Sequence, residues 1–419
     1  MRVLQFAPRV CWPLDTGAKL RNYHLARVLA QRADVSLLAF DDHLRFSTEL
    51  ISAFEKMYKQ VVAIPRDSAY TSTKIVRGLL GKTPLPVLNY TTSPMKRALD
   101  HLLSQEDFDI IQVESIHLMS YLPIAQKARI REARKRPLVV CDWHNVESEL
   151  MQRYSEREPG RLRRAYAGRT AHLMNEFEKR ALREFDAHIV VSQRDAARLR
   201  ELNPDARISV IENGVDTSSY AGLEGEGESL TRRIVFVASM DYHANIDGAI
   251  KFAREVWPRL RERQPELVFT IVGKDPAPEV RRLAQLPGIE VTGTVDDVRP
   301  FYREALAAVV PLNVGGGSRL KILEAMAAGV PVISTTLGAE GLEVRHDENI
   351  LIADTNEELV KAITSVIENE AQRHHLTAGG YALVSRRYDW SSLGASLFRA
   401  YEELLSGLTR TNENESYVP

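Results

Sequence analysis

Three glycines, a serine and two cations stand together in Gly315-Gly316-Gly317-Ser318-Arg319-Leu320-Lys321, and a carboxylate follows at Glu324. Glycines let the backbone approach a ligand closely and point its N–H groups at an anion. Ser318 suits the N-cap of a helix running to about Ala328, which Gly329 and Pro331 end. A helix N-terminus carries partial positive charge, and here Arg319 and Lys321 add cations to the first turn. Those cations oppose the dipole, a conflict that a bound anion resolves. Lys321 and Glu324 share one helix face, while Leu320, Leu323 and Ala327 carry the apolar one. This pattern suits a nucleoside diphosphate: Arg319 and Lys321 on the phosphates, Glu324 accepting from ribose hydroxyls. The alternative is a glycine loop, a core helix and a surface Lys–Glu pair.

A second group lies in the first half. Leu138-Val-Val-Cys-Asp-Trp-His144 runs from a buried strand toward a helix, which sets His144 at the strand's C-terminal edge. Asn145 then reads as the helix N-cap. Glu114 and His117 end the preceding strand and could line the same pocket. Pro8 to Arg21 follows the first strand, with Gly17 at a helix start and Arg21 in its first turns. Arg21 either meets an acceptor phosphate or carboxylate, or is solvated. No metal is expected. Cys11 and Cys141 are the two cysteines, and neither has zinc spacing. No Asp-x-Asp occurs, since Asp41-Asp42 and Asp296-Asp297 are adjacent pairs.

These residues need elements to place them. Strand candidates in the first half are Val3–Ala7, Val35–Phe40, Val61–Ile64, Ile110–Glu114, Leu138–Asp142, His188–Ser192 and Ile208–Glu212. In the second half they are Ile234–Ser239, Val268–Gly273, Ile289–Gly293, Ala308–Leu312, Val332–Thr335 and Ile350–Ala353. Many are apolar on both faces, as parallel strands covered by helices are. Alternation with helix-period segments predicts an α/β protein of two doubly wound, Rossmann-like domains. Their expected bounds are 1–216 and 232–389, with a glycine-rich linker at 217–231. Two such domains would face each other across a cleft holding the chemistry.

The chain has 419 residues, 55 basic against 56 acidic side chains, and a net charge of −1. That balance gives no global attraction to nucleic acid. No run of about 18 apolar residues predicts a membrane span, and the start lacks a signal-peptide core, so the expectation is a cytoplasmic protein. Two stretches are basic: Lys127–Arg136 with six cations against Glu132, and Arg153–Arg169 with six against Glu156 and Glu158. They either dock peripherally on an anionic membrane or form solvated helix faces.

The segment Glu324-Ala-Met-Ala-Ala-Gly-Val-Pro-Val resembles the donor signature of family-four retaining glycosyltransferases, which have the GT-B fold. That family usually carries two glutamates separated by seven residues. The second matches Glu324 and the first falls on Gly316, which implies that backbone amides of the glycine run take the place of a carboxylate at the donor sugar. Ile211-Glu-Asn-Gly-Val-Asp216 is similar to the turn closing the family's first domain. Where better-known relatives hold an Arg and a Lys for the diphosphate, this chain has Ser239, Met240 and Asn245, so more charge falls on Arg319 and Lys321. Ile271-Val-Gly-Lys-Asp-Pro resembles a strand-end glycine segment, implying phosphate approach at Gly273 and added charge or a solvated side chain at Lys274. Gly293-Thr-Val-Asp-Asp-Val resembles the nucleobase loop, with Val295 packing on the base and main-chain groups near Asp297 and Val298 bonding its edge. Asp296 is alternatively a helix N-cap. Paired glycines are usual near Gly17, and one is present.

The resemblance implies that His144 contacts the transferred sugar near its reacting carbon. It also implies retention of configuration and a C-terminal helix, about 390–407, returning to the first domain. The donor would be a UDP- or GDP-sugar, a substrate rather than a cofactor. The acceptor would be a glycan, a lipid-linked molecule or a small molecule. Two alternatives stand beside transfer: a sugar-nucleotide epimerase on the same fold, and a non-catalytic sugar-binding protein. A dehydrogenase or phosphate-loop nucleotidase lacks its glycine motif here.

Overall fold

The structure is a computed structural model and describes residues 1–14, 16–41, 54–66, 71–128, 136–158, 160–222, 232–314 and 319–415. Two compact units form, one of Met1–Glu212 with Leu393–Pro419, the other of Asn213–Ser392.

In chain order the first unit holds β1 (Arg2–Ala7), α1 (Gly17–Leu29), β2 (Asp34–Asp41), β3 (Gln60–Pro65), α2 (Ser72–Leu80), α3 (Leu85–Tyr90) and α4 (Ser93–Gln105). Then come β4 (Ile110–Val113), α5 (Leu122–Lys127), β5 (Leu138–Trp143), α6 (Glu147–Arg157), α7 (Arg161–Glu184), β6 (Ala187–Val190), α8 (Gln193–Leu202) and β7 (Ile208–Val210). The second unit begins with β8 (Arg233–Val237), α9 (His243–Lys251), α10 (Trp257–Arg263), β9 (Val268–Val272), α11 (Pro278–Arg281), β10 (Ile289–Gly293) and α12 (Arg299–Arg303). It continues through β11 (Ala305–Val310), α13 (Leu320–Ala327), β12 (Val332–Ser334), β13 (Leu351–Ile352), α14 (Asn356–Glu368) and α15 (Glu370–Leu383) to the last helix, α16 (Trp390–Glu415).

All pairings in the two sheets are parallel. Strand order is β3-β2-β1-β4-β5-β6-β7 in the first and β10-β9-β8-β11-β12-β13 in the second. Each expected strand is present, because runs such as Val139-Val140-Cys141 are buried on both faces and gain only between helix layers. Order reverses between β1 and β4 and between β8 and β11, and such switch points place ligand-binding groups at the strands' C-terminal ends.

The break between units falls at Glu212/Asn213, earlier than residue 216. Val215 N–H donates to Tyr388 O at 2.8 Å, Trp390 N–H to Val215 O at 3.2 Å, and Thr217 hydroxyl to Asp389 at 2.6 Å. These bonds draw the Asn213–Asp216 turn into the second unit rather than letting it close the first. Thr217–Tyr220, expected as linker, is a 3-10 turn whose Tyr220 is buried in the second core. The rest of the expected linker, 223–231, lies outside the described residues. From Leu393 onward α16 belongs to the first unit. Leu393, Leu397 and Tyr401 are buried, and a Cβ on Gly394 would collide with Val28 of α1.

Candidate active site

In the first unit the strand ends β1, β4 and β5 converge on a buried polar group. Gln5 of β1 and Gln112 of β4 are register partners across the switch point. Both amides donate to Glu114 Oε1 at 2.7 Å. Oriented so that donors meet acceptors, the Asn22 amide adds a bond to Glu114 Oε2 at 3.0 Å. His144, one residue past β5, places Nε2 at 3.2 Å from the same oxygen. Glu114 is fully buried, while His144 keeps about a sixth of its side chain exposed, 16%. Burial pushes the Glu114 carboxyl up, the His144 hydrogen bond pulls it down, and the charge of Asp142 pushes it up again. The carboxylate is therefore not a surface group lining a pocket but an anchor beneath an accessible imidazole. His117 stacks on Tyr90 at 5.8 Å, and burial lowers it to about 4, so it stays neutral at pH 7.

Arg21 corrects both of its sequence readings. It is neither solvated nor directed at an acceptor. Its guanidinium is 1% exposed, grips both oxygens of Asp142 at 2.9 and 3.0 Å, and donates to Ile211 O and Glu212 O at 2.8 and 3.0 Å. A buried arginine must be paired in this way, since an unpaired buried charge is far costlier. Gly17 opens α1, with Thr16 as the cap accepting from Lys19 N–H at 3.4 Å. Asn145 is not the α6 cap. Val146 holds that position, and Glu178 of α7 reaches over to accept from Ser148 N–H at 2.9 Å.

Glu114, Asp142 and His144 have ligand atoms within 4.8 Å of one another. Their donor set does not suit a cation. Both Asp142 oxygens already face the Arg21 guanidinium, which supplies the compensating charge there, and Glu114 Oε1 is already taken by two neutral amide N–H groups.

In the second unit the informative cluster sits at the β8/β11 switch. Lys321 Nζ donates to Asn245 Oδ1 at 2.6 Å and lies 5.4 Å from the centre of the Phe236 ring. The Asn245 amide is held in turn by Ser239 O at 2.7 Å. Burial, and then the nearby charge of Arg319, lower Lys321 to about 7, with Glu324 acting in the other direction. Burial raises Glu324 to about 6 against the pull of Lys321. Lys321 and Glu324 are each half-buried, on one face of α13 near the buried rings of Tyr220 and Tyr302.

Several expected roles change here. Gly315, Gly316, Gly317 and Ser318, with the Ser318 cap, lie outside the described residues; α13 is described from Leu320, with Arg319 at its cap position. Arg319 is 6% exposed, donates to Leu337 O at 2.8 Å and Glu340 O at 3.4 Å, and pairs with the Glu340 carboxylate at 3.5 Å. It ties the start of α13 to the 337–340 segment, so its charge is directed into the fold. Gly273 is needed for the protein's own packing: a Cβ there would overlap Ala238 O. Lys274 is exposed at a strand end. Val295 is half-buried, and Val298 packs against the core at the N-cap of α12. Asp296 does not cap that helix; Asp297 does the bonding, accepting from Arg299 N–H at 2.9 Å.

Sequence reasoning missed Gln5, Gln112, Tyr58, Tyr401 and Asn22. The available signal was a glutamine inside each of two otherwise apolar strand runs, Val3-Leu-Gln-Phe and Ile110-Ile-Gln-Val. A polar group centred in a double-faced strand must have a partner.

Two doubly wound Rossmann-like units in one chain, each with its polar cluster at the switch point, define the GT-B class. Residues 16–219 match the model described as Glycosyltransferase Family 4, and residues 231–369 match Glycosyl transferases group 1. The chain belongs to this glycosyltransferase family. It is similar to phosphatidyl-myo-inositol mannosyltransferase of Mycobacterium tuberculosis, 30% identical over 208 residues, 46% of this chain and 53% of that one. It is also 24% identical over 255 residues to glycogen synthase of the same organism, 58% of this chain and 60% of that one. The matches thus span about half of these relatives' length. Among solved structures, Anabaena Alr3699/HepE with UDP and glucose superposes with TM-score 0.61 at 16% identity, covering 95% of this chain and 99% of that one. Sucrose-phosphate synthase from Thermosynechococcus elongatus gives 0.64 at 15%, covering 97% and 100%. At such identities these two speak for the fold.

Proposed function

We propose that the chain moves a sugar from a UDP- or GDP-linked donor to an acceptor hydroxyl, with retention and without a metal. The observation carrying this reading is Lys321, oriented by Asn245 over Phe236, with Glu324 on the same face of α13 at the switch edge. Lys321 meets the diphosphate and Glu324 the ribose. The anomeric C–O bond to the diphosphate breaks while the acceptor oxygen bonds the same carbon on the same face. The acceptor's proton passes to the departing phosphate oxygen. His144, anchored by Glu114, stabilises charge at the transferred sugar, so His144→Ala lowers turnover by about 100-fold or more with donor affinity little changed.

A lipid-linked acceptor is favoured over a soluble one by one face of the first unit. Among the described residues no helix is long and apolar enough to cross a membrane. Yet Leu80 is 81% and Leu162 89% exposed, with Val76, Tyr154, Leu150 and Ile75 also exposed on α2, α6 and α7. Arg169 donates to Gly81 O at 2.9 Å, which brings α2 beside α7, and Arg77, Lys82, Arg161, Arg163 and Arg164, neighbours in sequence of the exposed Leu80 and Leu162, are exposed as well. Exposed apolar side chains with exposed cations beside them in sequence suit an anionic bilayer surface. Residues 129–135 of the first basic stretch lie outside the described residues, Arg136 at its end is paired with Asp186 at 2.6 Å, and Arg153 of the second is paired with Glu149 at 3.4 Å.

The test is incubation with labelled UDP-glucose, UDP-galactose, UDP-N-acetylglucosamine and GDP-mannose, with and without a bacterial lipid extract. Transfer of label into the lipid phase is expected. Epimerised donor alone, or binding of every donor without turnover, would assign the chain to one of the two rival classes.

A further inference from the structure

We infer that Tyr401 of α16 and Tyr58, just before β3, are positioning residues for His144, acting through Gln112 and Gln5 on the Glu114 carboxylate. This rests on the transferase reading for its purpose, though not for its geometry.

The chain of contacts is closed at each link. Tyr58 OH donates to Gln5 Oε1 at 2.6 Å, and Tyr401 OH donates to Gln112 Oε1. A side-chain amide has one accepting and one donating end. With the oxygen of each glutamine held by a tyrosine hydroxyl, its nitrogen must face Glu114, and both nitrogens do so at 2.7 Å. Glu114 Oε1 is thereby occupied, which leaves Oε2 for Asn22 and for the His144 ring at 3.2 Å. Among the described residues, every donor to the carboxylate except His144 is neutral and buried.

Such a network is costly to assemble. Gln5, Gln112, Glu114 and Tyr401 are each at most 3% exposed, in positions where apolar side chains would pack without any polar partner. Stability alone gives no reason to put a carboxylate and two amides at the centre of a sheet. A requirement at the one partly exposed member, His144, does give one. The acceptor bond to Glu114 fixes which ring nitrogen carries the proton and how the ring is turned. Both tyrosines stay protonated donors, because burial raises their hydroxyls well above the usual range. The other ionisable groups facing this network among the described residues are Asp142 with Arg21, Cys11, Tyr23, His117 and Glu147, and the first two form their own buried pair.

The arrangement also explains what a C-terminal helix is doing in this unit. Tyr401 lies 289 positions from Gln112, so α16 supplies a hydroxyl that local sequence around the sheet does not.

The test is Tyr401→Phe and Tyr58→Phe, each removing one hydroxyl, with Gln112→Leu as a third variant. In protein labelled with 15N-histidine, His144 is assigned by comparison with His144→Gln. The wild-type ring is expected in one tautomer with the proton on Nε2, and each variant should shift it toward a mixture. Turnover of whichever nucleotide sugar the intact enzyme uses should fall about tenfold in kcat, with donor KM changed by less than about twofold. Tyr401→Phe placed in the Gln112→Leu background should add almost nothing, since both act on one path. His144 signals identical to wild type in Tyr401→Phe, Tyr58→Phe and Gln112→Leu would overturn the inference, whether or not any sugar is transferred. Absence of all transfer by the intact enzyme, with the tautomer shift present, would count instead against the function proposed above.

Discussion

Raising the pH from 7 to 9 should weaken donor binding by about 50-fold, and Lys321 is the reason. In the free protein burial and Arg319 hold this lysine at about 7. A diphosphate beside Nζ favours the charged ammonium and raises its pKa in the complex. Between those two values the complex carries more protons than the free protein, so affinity falls as pH rises. At pH 7 half of the free molecules have Lys321 charged and at pH 8 about one in eleven, so relative to fully charged protein the cost at pH 8 is about 1.4 kcal/mol, a factor of about ten in Kd. At pH 9 the factor is about 100. Glu324 works with opposite sign: at about 6 in the free protein, it must be ionised to accept from ribose hydroxyls, so affinity rises with pH through 6. The best binding therefore falls between about pH 6 and 7. Calorimetric titration with UDP-glucose and GDP-mannose measures this, because neither diphosphate has a titrating terminal phosphate in the range. Two buffers of different ionisation enthalpy should show uptake of about 0.9 proton at pH 8. Lys321→Met should remove the slope above pH 7 and cost about 1.5–3 kcal/mol of affinity at pH 6.5. A Kd constant from pH 7 to 9, or the same slope in Lys321→Met, would refute the argument.

Arg21→Ala leaves Asp142 buried and unpaired, and should cost about 3–5 kcal/mol in urea unfolding followed at Trp143. A variant as stable as wild type but inactive would return Arg21 to the acceptor side. Gly273→Ala should destabilise the second unit by about 1–3 kcal/mol through overlap with Ala238 O, seen as a lowered melting temperature with no ligand added. Excess EDTA should leave turnover of the nucleotide sugar within about twofold, and loss reversed by added manganese would show that the amides and Lys321 do not suffice.

Much of this protein could be read without its structure. Strand positions follow from local physics: an uninterrupted β-branched run such as Ile189-Val-Val is stable only with both faces covered, and that property travels with the residues themselves. The same holds for the helix carrying Lys321 and Glu324 on one face, since their spacing alone fixes it. What the tertiary structure decided were the pairings between distant segments. Arg21 and Arg319 look like available cations in one dimension, and only contact with Asp142 or with the 337–340 carbonyls shows where their charge goes. The unit boundary moved because Val215 and Thr217 bond to Tyr388 and Asp389, residues about 170 positions away. Gln5, Gln112 and Tyr401 carried only the weak signal of polar atoms among apolar neighbours, because a hydrogen bond's partner is chosen by position in space and periodicity along the chain is blind to it.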